Sequence, residues 1–404
     1  MLWSAMKRRS FLRGTSFALA GAALPAARLA RSATPALPAG ARASEVFDAL
    51  PGKRPLIKRS FRPPNYETPV TLLGEPVTPN DVFYVRWHMG VPDLVAADWR
   101  LAIGGPSARS QRSLTLADLR RFQAHEVVAV NQCSGNRRGF FEPHVPGVQW
   151  GYGAMGNARW RGARLRDVLE SAGIAPGALE VVADAADSPT LTGPDFTKCL
   201  PMWKALDDDT LIAYEMNGEP LPRWHGFPAR LVAPGWTATY WVKCLTALSL
   251  VDNPFEGFWM RTAYRVPKGL FGRSQFESQE NETSAPITAI RVNSLIVDPE
   301  PGAALPPGRS VVIRGIAWDG GSGIRRVGVS ADGGATWRDA ELGRDLGRYA
   351  SRPWHFDAAL VAGDTLRLAV RAEANDGSLQ PDALVPNPAG YHHNVIQHAE
   401  YRAT

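Results

Sequence analysis

The sequence predicts an α+β chain in two successive regions, a mixed region over residues 45–277 and an all-β sandwich over 285–404. Three observations carry that expectation. From Asp81 to about Val251, short apolar runs alternate with amphipathic helical patterns and are punctuated by Pro and Gly. From Ala285 onward the pattern is β alone. The length of 404 residues with 45% hydrophobic content is enough to bury two domain-sized cores.

Residues 1–33 read as a leader. Lys7-Arg8-Arg9-Ser10-Phe11-Leu12-Arg13 has the twin-arginine pattern, and the Gly14 to Ala27 stretch after it is too short and too rich in Ala and Gly for a membrane helix. The expectation is a periplasmic protein exported in its folded state, with cleavage between about residues 27 and 36. The leader also explains the formal charge of +6. It holds Lys7, Arg8, Arg9, Arg13, Arg28 and Arg31 and no acid, and without it 39 basic residues face 39 acidic ones. A near-neutral remainder gives no reason to expect a nucleic-acid partner, and no apolar run reaches the length of a membrane span.

Residues 34 to about 75 are Pro-rich and are expected to wrap a core rather than form one. Thr115-Leu116-Ala117-Asp118 is a capping-box start for a helix through Phe122. Leu165, Val168 and Leu169 give one face of a second helix. Ser278 to Ser284 reads as a polar linker. Beyond it, Ser310–Trp318, Ile324–Ser330 and Thr336–Leu342 are strand-like, with Asp332-Gly333-Gly334 as a hairpin turn. Runs at Trp354–Leu360 and Thr365–Ala372 continue a spacing that fits an immunoglobulin-like sandwich.

The chemistry concentrates at Asn131-Gln132-Cys133-Ser134-Gly135-Asn136-Arg137-Arg138. A single thiol follows the apolar run Val127–Val130, sits in a turn and has two guanidinium groups beside it, a setting that stabilises a thiolate for a metal or a substrate. The other cysteines, Cys199 and Cys244, are a disulfide or two buried thiols. With no C-x-x-C, neither a zinc ribbon nor a covalent c-type haem is encoded. Gly151-Tyr152-Gly153-Ala154-Met155-Gly156 matches G-x-G-x-x-G, but Pro146-Gly147 leaves too short a lead-in for the buried strand that a dinucleotide site requires.

Three more clusters qualify as candidate site residues. Phe83-Tyr84-Val85-Arg86-Trp87-His88 sets Arg86 and His88 on one face at period-two spacing. His225-Gly226-Phe227-Pro228-Ala229-Arg230 is a turn before an apolar run. Arg261-Thr262-Ala263-Tyr264-Arg265 places a Tyr between guanidiniums.

Together these segments resemble the sulfite oxidase family of molybdenum enzymes over nearly the whole chain after the leader. The cysteine run resembles the family's metal-ligand motif. Tyr214-Glu215-Met216-Asn217-Gly218-Glu219-Pro220-Leu221-Pro222 with His225-Gly226-Phe227-Pro228 resembles its most recognisable internal stretch. Arg314-Gly315-Ile316-Ala317-Trp318 with Asp332-Gly333-Gly334-Ala335-Thr336-Trp337 is similar to its dimerisation domain. Cys-Ser-Gly-Asn and Gly257-Phe258-Trp259-Met260 look most like the catalytic subunit of bacterial periplasmic sulfite dehydrogenases.

The resemblance implies a molybdopterin domain over 45–277 and a dimerisation domain over 285–404. It implies Cys133 as thiolate ligand to molybdenum held by a single pyranopterin dithiolene, with Arg86, Arg138, Tyr264 and nearby His88 lining the oxyanion pocket. Trp150 is implied as a pocket wall, and His225, Arg230 and Lys243 as cofactor-phosphate contacts. The implied reaction is oxidation of sulfite to sulfate, with two electrons leaving singly to a c-type cytochrome, either a partner subunit or a soluble acceptor. The implied assembly is a homodimer, or a heterodimer with a cytochrome. The resemblance also implies that Ala389 stands where the eukaryotic enzymes carry a further pocket Arg, and the expectation is that no haem b domain precedes the core, so the cytochrome is separate. Alternatives are a sulfane dehydrogenase subunit of a thiosulfate-oxidising complex, a sulfoxide reductase and a non-catalytic exported binding protein; the last leaves Cys133 unexplained.

Overall fold

The computed structural model describes residues 46–189, 193–272, 275–306, 310–359 and 365–403. The twin-arginine leader, the start of the Pro-rich segment and the end of the run through Leu360 lie outside the described residues.

Strands dominate, and helices are fewer than the sequence pattern suggests. The longest among the described residues is Leu165–Ala172, whose buried Leu165, Val168, Leu169 and Ala172 fall at helical spacing. The helix expected from Thr115 to Phe122 shrinks to Leu116–Leu119, although its capping box forms in full: the Asp118 amide donates to Thr115 Oγ1 and the Thr115 amide to the Asp118 carboxylate. The run Val127–Val130 is rich in β-branched residues and pairs as part of the strand Ala124–Gln132, although no Pro or Gly interrupts residues 107–134.

Among the described residues the first region holds three sheets of four or five strands, and its strand Arg265–Pro267 pairs with Ser284–Pro286 in a two-stranded one. Phe47–Asp48, Leu56–Ser60, Asn65–Glu67 and Val85–Arg86 form an antiparallel sheet in that order. The Pro-rich segment therefore builds structure of its own, because Leu56 and Tyr66 between its prolines are fully buried. A five-stranded sheet runs Lys198–Pro201, Glu180–Ala185, Leu245–Val251, Arg100–Gly104, Arg112–Thr115, with one parallel pairing between Leu245–Val251 and Arg100–Gly104. Another five strands pair as Glu219–Pro220, Leu211–Met216, Met155–Arg164 and Ala124–Gln132, with Arg230–Val232 joined to Leu211–Met216. The long hairpin of Ala124–Gln132 with Met155–Arg164 carries the cysteine at its end.

The second region is two sheets packed face to face. One is Asn293–Asp298, Ser310–Trp318, Arg352–Ala359, Glu341–Leu342, and the other is Ala304–Leu305, Gln397–Ala403, Thr365–Ala374, Ile324–Ser330, Arg338–Asp339. Ile296, Ile313, Trp354, Val327, Val370 and Tyr401 fill the space between them. The expected turn is present at Gly333 and Gly334, both at positive φ, between the paired strands Ile324–Ser330 and Arg338–Asp339.

A separate apolar cluster joins the regions: Val130 and Met155 of the hairpin pack with Leu295, Ile316 and Trp318. Trp318 Nε1 donates to Gln132 Oε1 at 2.5 Å, one residue before Cys133. The expected polar linker at Ser278 to Ser284 is no spacer, since Gln279 is fully buried and donates to both oxygens of buried Glu180 at 2.9 Å.

Candidate active site

Cys133 sits where the strand Ala124–Gln132 ends, with its amide donating to Ala154 O at 2.9 Å and its carbonyl accepting from the Asn136 amide at 2.9 Å. Asn136 Oδ1 returns a bond from the Ala154 amide. These contacts fix the thiol at the floor of a pocket with about 520 Å³ of empty space, mouth included. Arg86, His88, His225, Arg230, Lys243 and Tyr264 line the same pocket, so seven of the residues singled out in the sequence meet in one place.

Two do not. Arg138 lies behind the pocket: its Nε donates to Ala389 O at 2.9 Å, Nη1 donates to Val148 O at 3.3 Å, and the guanidinium sits 5.2 Å from the Tyr391 ring centroid. Two carbonyls and an aromatic face hold the head off the lining, while its charge still acts on Tyr264. Trp150 is fully buried behind Tyr84, ring centroids 6.4 Å apart, and forms no wall. The neighbouring Arg137 also turns away. Its backbone is left-handed at φ 67°, and its guanidinium donates to Asn293 Oδ1 at 2.7 Å and Val395 O at 2.9 Å, tying the cysteine turn to the second region.

The period-two reading at residues 83–88 holds although only Val85–Arg86 makes ladder bonds. Tyr84, Arg86 and His88 line the pocket, while Phe83, Val85 and Trp87 point into core. Tyr84, not singled out before, follows from the same alternation. Its hydroxyl donates to Asn131 Oδ1 at 2.6 Å. Lys53 could not have been found that way: it comes from the Pro-rich segment, far from any motif, yet its Nζ lies 2.5 Å from His225 Nε2.

The electrostatics are one-sided. The lining holds no carboxylate among the described residues. Burial, reinforced by Arg86, Lys243 and Lys198, pushes His88 well below its ordinary range, so its imidazole is neutral. Burial and the Lys53 charge do the same to His225. Burial lowers Lys243 to about 8 and Lys53 to about 7. It raises the Tyr264 phenol, against the opposing pull of Arg86, so the hydroxyl keeps its proton. His88 Nε2 lies 2.5 Å from that hydroxyl. Arg86, Arg230 and Lys243 crowded into a low-dielectric pocket with no carboxylate in its described lining favour an anionic occupant, with Asp187 acting on Lys243 and Asp81 on Lys53 from outside that lining.

The glycine motif has a different task from the one its spacing suggests. The Gly151 and Gly153 amides donate to buried Glu67 at 2.9 and 2.8 Å, and Arg59 Nε completes the site at 2.7 Å. A strand rather than a helix follows, Met155–Arg164. A Cβ at Gly153 would stand 1.8 Å from Thr68 O, so the chain's own carboxylate segment occupies the place of a phosphate.

All three cysteines are free; Cys244 Sγ donates to Phe227 O at 3.2 Å, and Cys199 packs in a different apolar cluster. Among the described residues no three His, Cys, Asp or Glu side chains gather as a metal site.

Residues 88–259 match the family described as the oxidoreductase molybdopterin binding domain, and residues 284–400 match the Mo-co oxidoreductase dimerisation domain. Sulfite oxidase of Gallus gallus is 37% identical over 364 residues, which covers 86% of this chain and 78% of that protein. The chain belongs to the sulfite oxidase family. The mitochondrial sulfite oxidase of Rattus norvegicus is 36% identical across 85% of this chain, which spans 65% of the rat protein's length. Among solved structures, the sulfane dehydrogenase SoxCD from Paracoccus pantotrophus superposes with a TM-score of 0.74 at 28% identity, covering 95% of this chain and 93% of that one.

Family membership implies a molybdenum–pyranopterin cofactor, and the pocket fits it. One lining thiol, with no further ligand cluster, suits a metal whose other sulfur ligands arrive on an organic carrier. Asn131 Nδ2, Ser134 Oγ, Arg230 Nε and Thr239 Oγ1 are buried without a protein partner, and all four residues line the pocket. Polar atoms left unpaired at that depth suit a polar, anionic cofactor such as a pterin phosphate.

Proposed function

We propose that this enzyme oxidises sulfite to sulfate in the periplasm, SO₃²⁻ + H₂O → SO₄²⁻ + 2H⁺ + 2e⁻, with the electrons passing singly to a c-type cytochrome. The observation that carries the reading is the convergence of Cys133, Arg86, His88 and Tyr264 on a carboxylate-free, cation-lined pocket. The sulfite oxidases among its relatives favour that substrate, and the twin-arginine leader supports export. The match of residues 284–400 to the dimerisation domain supports a dimer built on an immunoglobulin-like sandwich.

Cys133 would hold the molybdenum, and His225, Arg230, Lys243 and Lys53 would hold the pterin phosphate. When bound there, the molybdenum centre supplies two-electron oxygen-atom transfer. Arg86 anchors the substrate, since a guanidinium meets two oxygens of an oxyanion at once. Its Nη1 is already oriented by Asn65 Oδ1 at 3.2 Å. The neutral His88 protonated on Nε2 donates to Tyr264 Oη, which leaves the phenolic hydrogen free for a substrate oxygen. The cations that bind sulfite also offset the two charges of sulfate before it departs.

A second reading, oxidation of a sulfane sulfur as a subunit of a thiosulfate-oxidising complex, is favoured by the superposition on a sulfane dehydrogenase along nearly the full length of both chains. Sulfite-dependent reduction of ferricyanide by exported protein with verified molybdenum content separates the two. Saturable turnover supports sulfite. No turnover from fully loaded protein overturns that reading in favour of the sulfane one.

A further inference from the structure

Lys198 is a buried lysine that the reaction as described does not use. It opens the strand Lys198–Pro201, which pairs with Glu180–Ala185, and it is 1% exposed. Its ammonium donates to Trp259 O at 2.6 Å and sits 4.6 Å from the Tyr240 ring centroid and 5.2 Å from that of Tyr264. No carboxylate among the described residues pairs with it; the charged or titratable groups facing it are Arg265, the Cys199 thiol, Tyr240, Tyr264 and His88. A buried ammonium with one carbonyl and two ring faces is a costly arrangement that a Met or Leu would relieve.

Its surroundings lead to the pocket. Tyr264 is held by His88 at the hydroxyl, by Tyr391 stacked with ring centroids 5.6 Å apart and 15° between planes, and by the Lys198 ammonium over the ring. Trp259, whose carbonyl receives the ammonium, also packs on His88 with centroids 4.8 Å apart. Lys198 therefore touches both supports of the Tyr264–His88 pair while staying off the lining itself. A cation on the face of a phenol draws electron density from the ring and makes its O–H a stronger donor. It also adds positive potential to a pocket whose occupant carries up to two negative charges.

We propose that Lys198 is a positioning residue for oxyanion binding, acting through Tyr264 and Trp259 to raise the pocket's affinity for sulfite and sulfate. It adds to the charge that Arg138, held off the lining by Ala389 O and Val148 O, exerts on Tyr264. The inference rests on the oxyanion reading of the pocket.

The test uses the molybdenum-loaded enzyme and sulfate as probe, with the dissociation constant read by titration calorimetry at about pH 6. Burial brings the Lys198 ammonium down to about 7, so it is charged there. Lys198→Gln keeps a donor for Trp259 O without the charge, and Lys198→Arg keeps the charge. The expected result is a sulfate dissociation constant raised about tenfold in the Gln variant and restored to within about threefold by Arg. In parallel, the KM for sulfite rises in the Gln variant more than kcat falls. A Gln variant that binds sulfate as the wild type does, or Gln and Arg variants equally weakened, would reduce Lys198 to packing and overturn the inference. If the wild-type enzyme neither binds sulfate nor turns over sulfite, the oxyanion reading itself fails and takes this role with it.

Discussion

Replacing Glu67 by Gln removes one charge from a site with three donors and almost no access to water. The Glu67 and Arg59 side chains are 3% and 9% exposed and meet at 2.7 Å. One carboxylate oxygen takes Arg59 Nε and the Gly151 amide, and the other takes the Gly153 amide. A Gln amide accepts through a single oxygen. In its better orientation it keeps Arg59 and Gly151 and turns its NH₂ onto the Gly153 N–H, leaving a buried donor unsatisfied at about 1–3 kcal/mol. Arg59 also loses the charge of one of its partners, and together with the orphaned Gly153 amide a loss of about 3 kcal/mol is expected. In urea that is a midpoint lower by about 1 M for an m-value of about 3 kcal/mol/M. The effect reaches the metal as well, because Gly151 O accepts from the Arg137 amide at 2.8 Å and Ala154 O accepts from the Cys133 amide at 2.9 Å. Urea melts of the variant, followed with molybdenum content after dialysis, should show both the lower midpoint and faster cofactor loss. A midpoint within about 0.2 M of wild type would refute the claim that Glu67 fills the glycine motif as an internal anion.

Cys133→Ser is expected to abolish sulfite turnover while leaving the circular dichroism spectrum and melting temperature nearly unchanged, because among the described residues the thiol makes no hydrogen bond that packing depends on; retained activity would remove it as metal ligand. Arg86→Gln should raise the KM for sulfite roughly tenfold or more with a smaller change in kcat, since an anion anchor is lost, and an unchanged KM would take Arg86 out of the substrate site. Lys243, lowered to about 8 by burial beside Arg230, should make retention of the pterin phosphate weaken as pH rises through about 8. Stability runs the opposite way: between about 8 and the ordinary 10.5 the unfolded chain binds the extra proton, so the fold gains stability as pH climbs through that window. Molybdenum content after dialysis that is flat from pH 7 to 9.5, or identical in Lys243→Met, would show that this ammonium does not hold the phosphate as a cation.

What the sequence revealed depended on whether a residue's neighbours were near in the chain. Ser310–Trp318 and Ile324–Ser330 were legible to their ends because alternation and the Asp332-Gly333-Gly334 turn are local signals. The strand Gln397–Ala403 was not. It alternates correctly, but its inward residues begin with Gln397, buried because its Oε1 accepts from the Ile296 amide at 2.6 Å, a partner some hundred residues away. The same limit explains Gln279, read as linker and found under Glu180. It also explains Lys53, which only the tertiary fold brings to His225.

The two arginines after Cys133 show why a motif can name residues without assigning them. Consecutive guanidiniums beside a thiol suggest two charges for one pocket, yet the left-handed backbone at Arg137 sends that side chain to Asn293 and Val395. Arg138 goes instead to Ala389 O and Val148 O under Tyr391. Both partners that decide the outcome, Asn293 and Ala389, belong to the second region, and so does Tyr391, which stacks on Tyr264. The β sandwich therefore sets which side chains the catalytic pocket presents. With its head bonded to Ala389 O and Val148 O, Arg138 stays off the lining, and Arg86 is left as the guanidinium beside the neutral His88 and the Tyr264 hydroxyl. A pocket so arranged binds its anion through fewer direct charges, which makes a cation acting from behind Tyr264 matter more than it would beside a second arginine.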